Sequence, residues 1–401
     1  MSEADLPTTK ITSGAFWRLL PAGMRRRWWL FRLFDWLARH WPVLKSRRGL
    51  LVIRMDGIGD MMLFRASLDD YAAAFGVEPS DITVLGCKSW EPIAADVFAG
   101  YRVIAIDEHA YARRPLYRFR VNLRVRALAP RVTASDAYFR RALMADSLAW
   151  VAGAPRTVVS LPYMSERTRA EYTWYLSQGA EVIDTGAYPI HETERHANFV
   201  AAVGGGAAAP RATSIDWPSA PPAEVDGPYA VLNPGSNEFG RRWPLAQYVT
   251  LARKLRERGL QVVFVGKADE KAADPALREI AGEAGVHDLT GRTSLAGLLG
   301  VMKGARLVVS NDTGPAHVGI ALGTPTVVIV GGGHFGCFVP YPETVRPAHA
   351  RFVHEPMDCY HCFWRCHKRS DPKASFPCVA AVGMAAVEAA CDDLLALSPD
   401  A

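Results

Sequence analysis

The chain has 401 residues, of which 46 are Lys or Arg and 41 are Asp or Glu, so its formal net charge is +5. Apolar residues make up 49% and charged residues 22%, an ordinary globular composition that excludes a disordered, collagen-like or coiled-coil chain. The length predicts two domains, and the small excess of positive charge predicts no nucleic-acid partner.

Residues 1–48 form a basic and aromatic leader that contains a single Asp after residue 13. Apolar residues recur there at helical spacing, with arginines on the opposite face; they are Leu30, Phe34, Leu37 and Trp41. This pattern predicts a basic amphipathic helix that lies in the interface of an anionic membrane. The alternative is a helix that packs on the N-terminal domain with its arginines solvated.

Strand-like runs alternate with helical stretches from residue 49 to residue 206, and again from residue 229. The predicted strands are Leu51–Arg54, Ile82–Gly86, Val103–Ile106, Tyr229–Leu232, Gln261–Val265, Arg306–Ser310 and Thr326–Val330. The predicted helices include Tyr138–Val151, Leu245–Arg258 and Leu295–Lys303. Continuous runs of Val and Ile between helices indicate parallel strands that are covered on both faces. We therefore predict an N-terminal domain over residues 49–206, a linker over 207–228, and a C-terminal domain over 229–396.

Ligands of such sheets bind outside the carboxyl ends of the strands, so the loops there are the candidate sites. The loop after the first strand contains Gly57, Gly59 and Asp60. Its two glycines allow a sharp turn, and we expect a helix to begin near Asp60. Asp60 is then either a cap of that helix or a carboxylate that acts as a general base.

The loop after strand Tyr229–Leu232 contains small residues, including Ser236, followed by the pair Arg241 and Arg242. Free backbone amides followed by paired arginines favour a phosphate site. The alternative is a solvated turn with surface arginines.

The loop after strand Arg306–Ser310 leads through Asp312, Thr313 and Gly314 into a predicted helix. The N-terminus of that helix would attract an anion, because its amide groups and dipole point out of the sheet. His317 lies one turn into this helix, and it is either a ligand contact or a packed core residue.

Together these loops resemble family 9 of the glycosyltransferases, to which the lipopolysaccharide heptosyltransferases belong. The resemblance spans about residues 49–396. It is carried by Arg54, Gly57–Asp60, Asn233–Ser236, Arg241–Pro244, Gly266, Asp269–Glu270, Asp312–His317 and Ala321–Pro325.

The resemblance implies an α/β fold of the GT-B type, with two doubly wound Rossmann-like domains facing a cleft. The N-terminal domain would bind the acceptor and the C-terminal domain a nucleotide-diphosphate sugar. The reaction would invert the anomeric centre without a catalytic metal, and the family's proposed base falls on Asp60. The donor site falls on Ser236, Arg241, Arg242, Asp312, Thr313, Gly314 and His317, with Asp269 or Glu270 near the nucleoside.

Four cysteines lie within 20 residues near the C-terminus: Cys359, Cys362, Cys366 and Cys378. Four thiols in so short a segment predict a structural zinc or iron site. A set of buried, reduced thiols around a compact loop is the alternative.

We therefore predict an inverting glycosyltransferase that moves a sugar, heptose from ADP-heptose, to a lipopolysaccharide-type or other surface glycan. A nucleotide-sugar epimerase or hydrolase of the same fold, which would turn over the donor alone, is one alternative. A non-catalytic, membrane-associated sugar-nucleotide-binding protein is another. The N-terminus does not match a signal peptide. We therefore expect a cytoplasmic protein, peripheral on the inner face of the cytoplasmic membrane. A second basic stretch, Arg113–Arg141, would either meet phosphates of a lipid-linked acceptor or be solvated.

Overall fold

The computed structural model describes residues 27–217, 220–221, 223–268 and 275–397. The chain divides into two compact units. Unit 1 comprises the chain up to Gly57 together with Ser67–Ala187 and Glu194–Ala209. Unit 2 comprises Ile58–Ala66, Tyr188–Thr193 and the chain from Pro210 onwards. Two short segments of the predicted N-terminal domain, Ile58–Ala66 and Tyr188–Thr193, thus belong to unit 2.

The strands of unit 1 form one parallel sheet. In chain order they are β1 (Leu50–Arg54), β2 (Ile82–Cys87), β3 (Arg102–Ile106), β4 (Val132–Ser135), β5 (Arg156–Ser160) and β6 (Glu181–Ile183). Their order in the sheet is β3-β2-β1-β4-β5-β6. The order reverses between β1 and β4, as in doubly wound nucleotide-binding folds. Every residue of β1 is buried, which explains the apolar run Leu50–Ile53 before the buried Arg54.

Helices lie between and around these strands. They are α1 (Arg27–Arg39), α2 (Ile58–Phe75), α3 (Glu91–Val97), α4 (Glu108–Arg113), α5 (Pro115–Leu128), α6 (Ser147–Ala152), α7 (Glu166–Leu176) and α8 (Glu192–Gly204). A π-helical turn, Ala142–Asp146, leads directly into α6.

Unit 2 contains a second parallel sheet of the same design. Its strands are β7 (Tyr229–Asn233), β8 (Gln261–Phe264), β9 (Val286–Asp288), β10 (Leu307–Asn311), β11 (Thr326–Ile329) and β12 (Ala350–Val353). Their order is β12-β11-β10-β7-β8-β9, so the reversal falls between β7 and β10. The helices are α9 (Leu245–Glu257), α10 (Pro275–Ile280), α11 (Leu295–Lys303), α12 (Gly314–Ala321), α13 (Pro377–Ala380) and α14 (Met384–Ala396).

The predicted class, two doubly wound α/β sheets, is confirmed. Each strand predicted from the sequence is present, with ends that differ by no more than one residue. The predicted helix Tyr138–Val151 is wrong at its start, because the residues before Ala142 form a loop. Arg140 fixes that loop by donating to the Ala137 carbonyl at 2.8 Å and to Ser160 Oγ at 2.9 Å. In the part of the chain that the structure describes, no helix combines the length and apolar character that crossing a membrane requires.

Helix α1 packs on unit 1 through a face that carries Phe31, Asp35 and Ala38, all of which are buried. Asp35 accepts hydrogen bonds from the Arg118 Nε at 2.8 Å and from the Asn122 Nδ2 at 2.6 Å. For residues 27–39, the structure therefore corresponds to the alternative in which the leader helix packs on the N-terminal domain. The rest of the leader before Arg27 lies outside the described residues.

The outer face of α1 and the turn after it expose a row of large apolar side chains, which we call the α1 ridge. The ridge consists of Leu33, Trp36, Leu37, Trp41 and Leu44. Half or more of the side chain is exposed at Trp36 (50%) and Trp41 (55%). The exposed stripe is thus rotated from the one predicted from the sequence, because α1 turns its Asp35 face toward unit 1.

Candidate functional site

Two buried asparagines join the loops that follow β7 and β10 in unit 2. Asn233 Nδ2 donates to Thr313 Oγ1 at 3.2 Å. Asn311 Nδ2 donates to the Pro234 carbonyl at 2.8 Å, and its Oδ1 accepts from the Trp243 amide at 2.9 Å. Because both asparagines are buried and hydrogen-bonded, they hold the two loops against each other at the carboxyl edge of the sheet.

Arg241 and Asp312 form an ion pair across these loops. Arg241 Nη2 lies 3.0 Å from Asp312 Oδ2 and also donates to the backbone carbonyl of Asp312. The Arg241 side chain remains 25% exposed, so part of the guanidinium faces solvent. The structure therefore brings together two predicted donor-site residues that are 71 positions apart.

Ser236 and Arg242 belong to the loop that follows β7. Arg242 donates to the Ser236 carbonyl from Nε at 3.1 Å and from Nη2 at 2.8 Å, which closes this turn. The Ser236 hydroxyl is buried and makes no hydrogen bond to any described residue, and the same holds for the Arg241 Nε. A buried polar atom without a partner costs free energy, so an anionic ligand that accepted both hydrogen bonds would remove that cost.

Helix α12 begins directly behind Asp312. Its N-cap, Thr313, makes no side-chain capping hydrogen bond, so the Thr313 hydroxyl does not occupy the amides at the positive end of the helix. His317 is buried and its Nδ1 lies 3.0 Å from the Tyr341 hydroxyl, with the two rings stacked. Burial lowers the pKa of His317 to about 4, against a smaller opposing effect of Asp312. His317 is therefore mainly neutral at pH 7, and it packs on Tyr341 one turn after the loop that follows β10.

Asp60 lies in the first turn of α2, whose N-cap is Gly57. The predicted capping role of Asp60 is therefore wrong for the N-cap position, although a first-turn carboxylate still favours the helix dipole. Within unit 2, the start of α2 lies against the start of α12. A Cβ added to Gly59 would come 2.9 Å from His317 Cδ2, and one added to Gly314 would come 2.2 Å from Ile58 Cγ2. The glycines thus allow the Asp60 turn to approach the start of α12 closely.

Three further residues of this edge were not identified from the sequence: His334, Tyr341 and Trp364. Trp364 lies under the guanidinium of Arg241, with the Arg241 Cζ 4.7 Å from the ring centroid. Burial, and then the charge of Arg241, lower the pKa of His334 to about 4. The position of His334 directly after a run of three glycines was an available signal.

Asp269 and Glu270, predicted to lie near the nucleoside, are outside the described residues.

A buried charge network lies at the ends of β1 and β4 in unit 1. Arg54 Nε lies 2.7 Å from Asp56 Oδ2, and Arg54 Nη1 lies 2.5 Å from Asp136 Oδ1. His196 Nδ1 is 2.7 Å from Asp136 Oδ2. Burial alone would raise the pKa of Asp136, but His196 and Arg54 outweigh it and lower that pKa well below its ordinary value. This network fixes the strand end from which the Asp60 loop departs.

The four clustered cysteines are unbonded thiols. Burial raises the pKa of Cys362, and Cys366, Cys378 and Cys359 raise it further, so the four sulfurs lie within electrostatic range of one another. Across the described ranges, however, no group of three or more His, Cys, Asp or Glu side chains is arranged to hold a metal ion. The structure therefore gives the predicted zinc or iron site no coordination sphere.

Residues 191–362 match the family model described as glycosyltransferase family 9 (heptosyltransferase), the same family that the loops resemble. Lipopolysaccharide heptosyltransferase 2 of Salmonella typhimurium is 37% identical over 103 residues, which are 24% of this chain and 29% of that protein. The chain thus aligns with less than a third of the length of this curated relative.

Solved structures share the fold over much more of the chain. The family 9 glycosyltransferase from Veillonella parvula has a TM-score of 0.68 at 19% identity, over 89% of this chain and all of that one. The ADP-heptose lipopolysaccharide heptosyltransferase II of E. coli has a TM-score of 0.60 at 19% identity, over 88% and 100% of the two chains. TibC, an iron-containing dodecameric glycosyltransferase of enterotoxigenic E. coli, has a TM-score of 0.54 at 14% identity, over 90% and 78%. These neighbours confirm the GT-B fold.

Proposed function

We propose that this chain, whose residues 191–362 belong to glycosyltransferase family 9, transfers a sugar from a nucleotide diphosphate to a saccharide acceptor. The observation that carries the proposal is the anion site of unit 2. The Arg241–Asp312 pair, the Ser236 hydroxyl, which makes no hydrogen bond to a described residue, and the N-terminus of α12 all lie in or next to the loops after β7 and β10. A diphosphate leaving group develops negative charge as the glycosidic bond breaks, and fixed positive groups stabilise that charge.

Asp60 is the proposed general base. A base must lie within hydrogen-bond reach of the hydroxyl that attacks the anomeric carbon. The contact of Gly59 with His317 supports this role, because it puts the Asp60 turn beside the loop that would hold the diphosphate. Attack from the side opposite the leaving group would invert the anomeric centre.

Neutral His317 would act as a hydrogen-bonding group and not as a cation. Burial lowers the pKa of His317 to about 4, which favours the neutral imidazole near neutral pH before a donor binds. The positive charge of the site then comes from Arg241 and from the dipole of α12.

ADP-heptose is the donor that we propose, with a lipopolysaccharide-type or lipid-linked glycan as the acceptor. The support is the name of the Salmonella relative and of the E. coli structural neighbour, both of which are lipopolysaccharide heptosyltransferases. Asp269 or Glu270 would contact the nucleoside, and unit 1 would bind the acceptor.

The test begins with a panel of nucleotide sugars, scored by the rise in melting temperature of the purified protein. Turnover of the donor that binds is then measured with and without acceptor glycan. We expect Asp60→Asn to lower kcat at least about 100-fold while donor affinity is retained. Glu91→Gln, which alters an exposed acidic residue in the first turn of α3, is the matched control.

Two results would overturn this proposal. Donor hydrolysis or epimerisation that is equally fast without acceptor would indicate a different enzyme. Full activity of Asp60→Asn would remove Asp60 from the mechanism.

We further propose a peripheral position on an anionic membrane surface, on its cytoplasmic side. The α1 ridge supports this position, because interfacial helices bury Trp and Leu at the level of the headgroups. A group of arginines adjoins it: Arg39, Arg47 and Arg126. These arginines donate to the backbone carbonyls of Trp150, Pro130 and Trp41, respectively, and no described residue forms an ion pair with any of them. Anionic headgroups would supply the missing counter-charge.

A structural zinc or iron ion on Cys359, Cys362, Cys366 and Cys378 remains a prediction, and no step of the proposed reaction depends on it. The short distance between the four thiols supports the metal site. Their arrangement does not, because the described residues form no coordination group. Metal analysis of anaerobically purified protein, compared with Cys362→Ser, decides the question. A metal content far below one ion per chain in both proteins would contradict the structural metal site.

A further inference from the structure

The segment after β11 and the cysteine loop are built around each other. Gly331, Gly332 and Gly333 follow the strand, and backbone hydrogen bonds join this turn to the loop. The His361 amide donates to the Gly332 carbonyl at 2.7 Å, and the Phe363 amide donates to the Gly333 carbonyl at 2.9 Å. The two segments therefore fold as one piece, although they are about 30 residues apart.

The glycines are required because aromatic rings lie directly on this turn. A Cβ added to Gly333 would come 2.1 Å from Cδ2 of Trp364, and one added to Gly332 would come 2.2 Å from Cδ1 of Tyr360. Real side chains do not approach so closely. The turn is thus shaped to receive the indole of Trp364.

The loop adopts a backbone conformation that is unfavourable for its residues. His361, Phe363 and Trp364 have φ angles of 66°, 54° and 59°, in the left-handed region that usually holds glycine. Such residues persist only where the surrounding contacts compensate for the strain, and they cluster at functional sites. Three of them within four positions indicate that the location of these rings matters.

The indole of Trp364 lies between a core residue and the anion site. Its ring stacks on Phe376 with centroids 5.5 Å apart and planes at 24°, and Phe376 belongs to the core of unit 2. Arg241 lies over the ring at 4.7 Å, and its Nη2 bonds to Asp312. The amide of Phe376 also donates to the carbonyl of Gly240 at 2.6 Å, directly before Arg241.

We propose that Trp364 is a positioning residue for Arg241, and that the strained cysteine loop exists to place its indole beneath that guanidinium. The ring face attracts the cation and limits its motion, so that Arg241 is held by Trp364 and Asp312 before a diphosphate binds. This inference rests on the proposed function, because it assumes that Arg241 contacts the diphosphate of a donor.

The test is a double-mutant cycle on the full chain, with ADP as the probe and adenosine as the comparison, both measured by calorimetry. Trp364→Leu should weaken ADP binding about tenfold. Arg241→Ala should weaken it more, about 30-fold or beyond. In the Arg241→Ala background, Trp364→Leu should have no further effect, because the group that it positions is gone.

Two variants separate positioning from general structural support. Trp364→Phe retains a ring and should keep most of the ADP affinity. Phe363→Leu alters a neighbouring strained residue whose ring stacks on Tyr188, so ADP affinity should be retained. If Trp364→Leu does not fold, Gly333→Ala displaces the indole without removing it, and it should weaken ADP binding by a similar factor.

The possible results distinguish the positioning role of Trp364 from the proposed binding of a nucleoside diphosphate. An equal loss of ADP affinity on Trp364→Leu in both backgrounds, or an equal loss for adenosine, would reduce Trp364 to a structural residue. Wild-type protein that binds no nucleoside diphosphate would overturn the proposed donor site and this inference with it. Normal wild-type binding that is unaffected by either Trp364→Leu or Gly333→Ala would overturn the inference alone.

Discussion

Asp35 and Arg118 form a fully buried, bidentate ion pair that connects helix α1 to helix α5. Arg118 Nη2 lies 2.7 Å from Asp35 Oδ2, and Arg118 Nε lies 2.8 Å from Asp35 Oδ1. Asn122 and Tyr175 also donate to this carboxylate. The single acidic residue after residue 13 of the leader is therefore the one that α1 buries.

Removing one partner of this pair should destabilise unit 1 strongly. Asp35→Ala leaves the buried guanidinium of Arg118 uncompensated, and we expect a loss of about 3–5 kcal/mol in the free energy of unfolding. Urea unfolding of the full chain, followed by tryptophan fluorescence, measures it. Glu181→Ala is the control, because its pair with Arg156 is exposed and contributes less than about 1 kcal/mol. Equal effects of the two variants would contradict the structural role of Asp35.

The α1 ridge should bind anionic vesicles. Replacing Trp36, Leu37 and Trp41 together by Ser should lower binding to phosphatidylglycerol-containing vesicles at least about tenfold, because the interfacial apolar area is lost. The melting temperature should change little, since these side chains are exposed. Val182→Ser, at an exposed apolar position elsewhere on unit 1, should leave vesicle binding unchanged. Deletion of residues 1–48 is unsuitable as a test because it also removes Asp35.

Ser236→Ala should separate stability from donor binding. The Ser236 hydroxyl is buried without a partner among the described residues, so its removal should leave the melting temperature unchanged or raise it. ADP affinity should nevertheless fall about fivefold, because a hydrogen bond to the diphosphate is lost. Ser160→Ala is the contrast, since Ser160 accepts from Arg140 at 2.9 Å and donates to the Ala137 carbonyl, and its loss should lower stability. Loss of stability with unchanged ADP affinity in Ser236→Ala would refute this assignment.

The neutral state of His317 should give stability a defined pH dependence. The folded pKa is about 4 against an ordinary value of 6.5, so between these values the unfolded chain binds more protons. The contribution is complete above pH 6.5 and is lost as the pH falls toward 4, by on the order of 2 kcal/mol at pH 4.5. His317→Gln should therefore reduce the difference in unfolding free energy between pH 7 and pH 4.5. An unchanged difference in His317→Gln would contradict the assignment of this pH dependence to His317.

The strands of both sheets could be predicted where the sequence carries an uninterrupted apolar run. Strands β1, β7 and β10 have every residue buried, so their composition alone marks them. The edge strand β6 could not be found in this way, because two of its three residues are exposed. Strand β4 is short and contains Thr and Ser, and its burial depends on neighbours distant in the chain.

The proposed anion site was predictable to the extent that its residues lie next to strand ends. Arg241 and Asp312 could be identified because each follows a strand in a recognisable loop. Trp364 could not, since it reaches Arg241 across 123 positions and no local pattern connects them. The rotation of α1 was equally hidden, because the burial of Asp35 is decided by Arg118 on another helix.

The three glycines after β11 also restrict how this protein can vary. Any substitution at Gly332 or Gly333 introduces a carbon where an aromatic ring already lies, whereas a Cβ at Gly206 or Gly383 would meet nothing within 4 Å. In a library of single substitutions, few residues should therefore be tolerated at Gly332 and Gly333. Many different residues should be tolerated at Gly206 and Gly383. Because the turn and the cysteine loop pack on each other, a substitution in one is tolerated only with a matching change in the other. The two segments should therefore vary together, although about 30 residues separate them in the sequence.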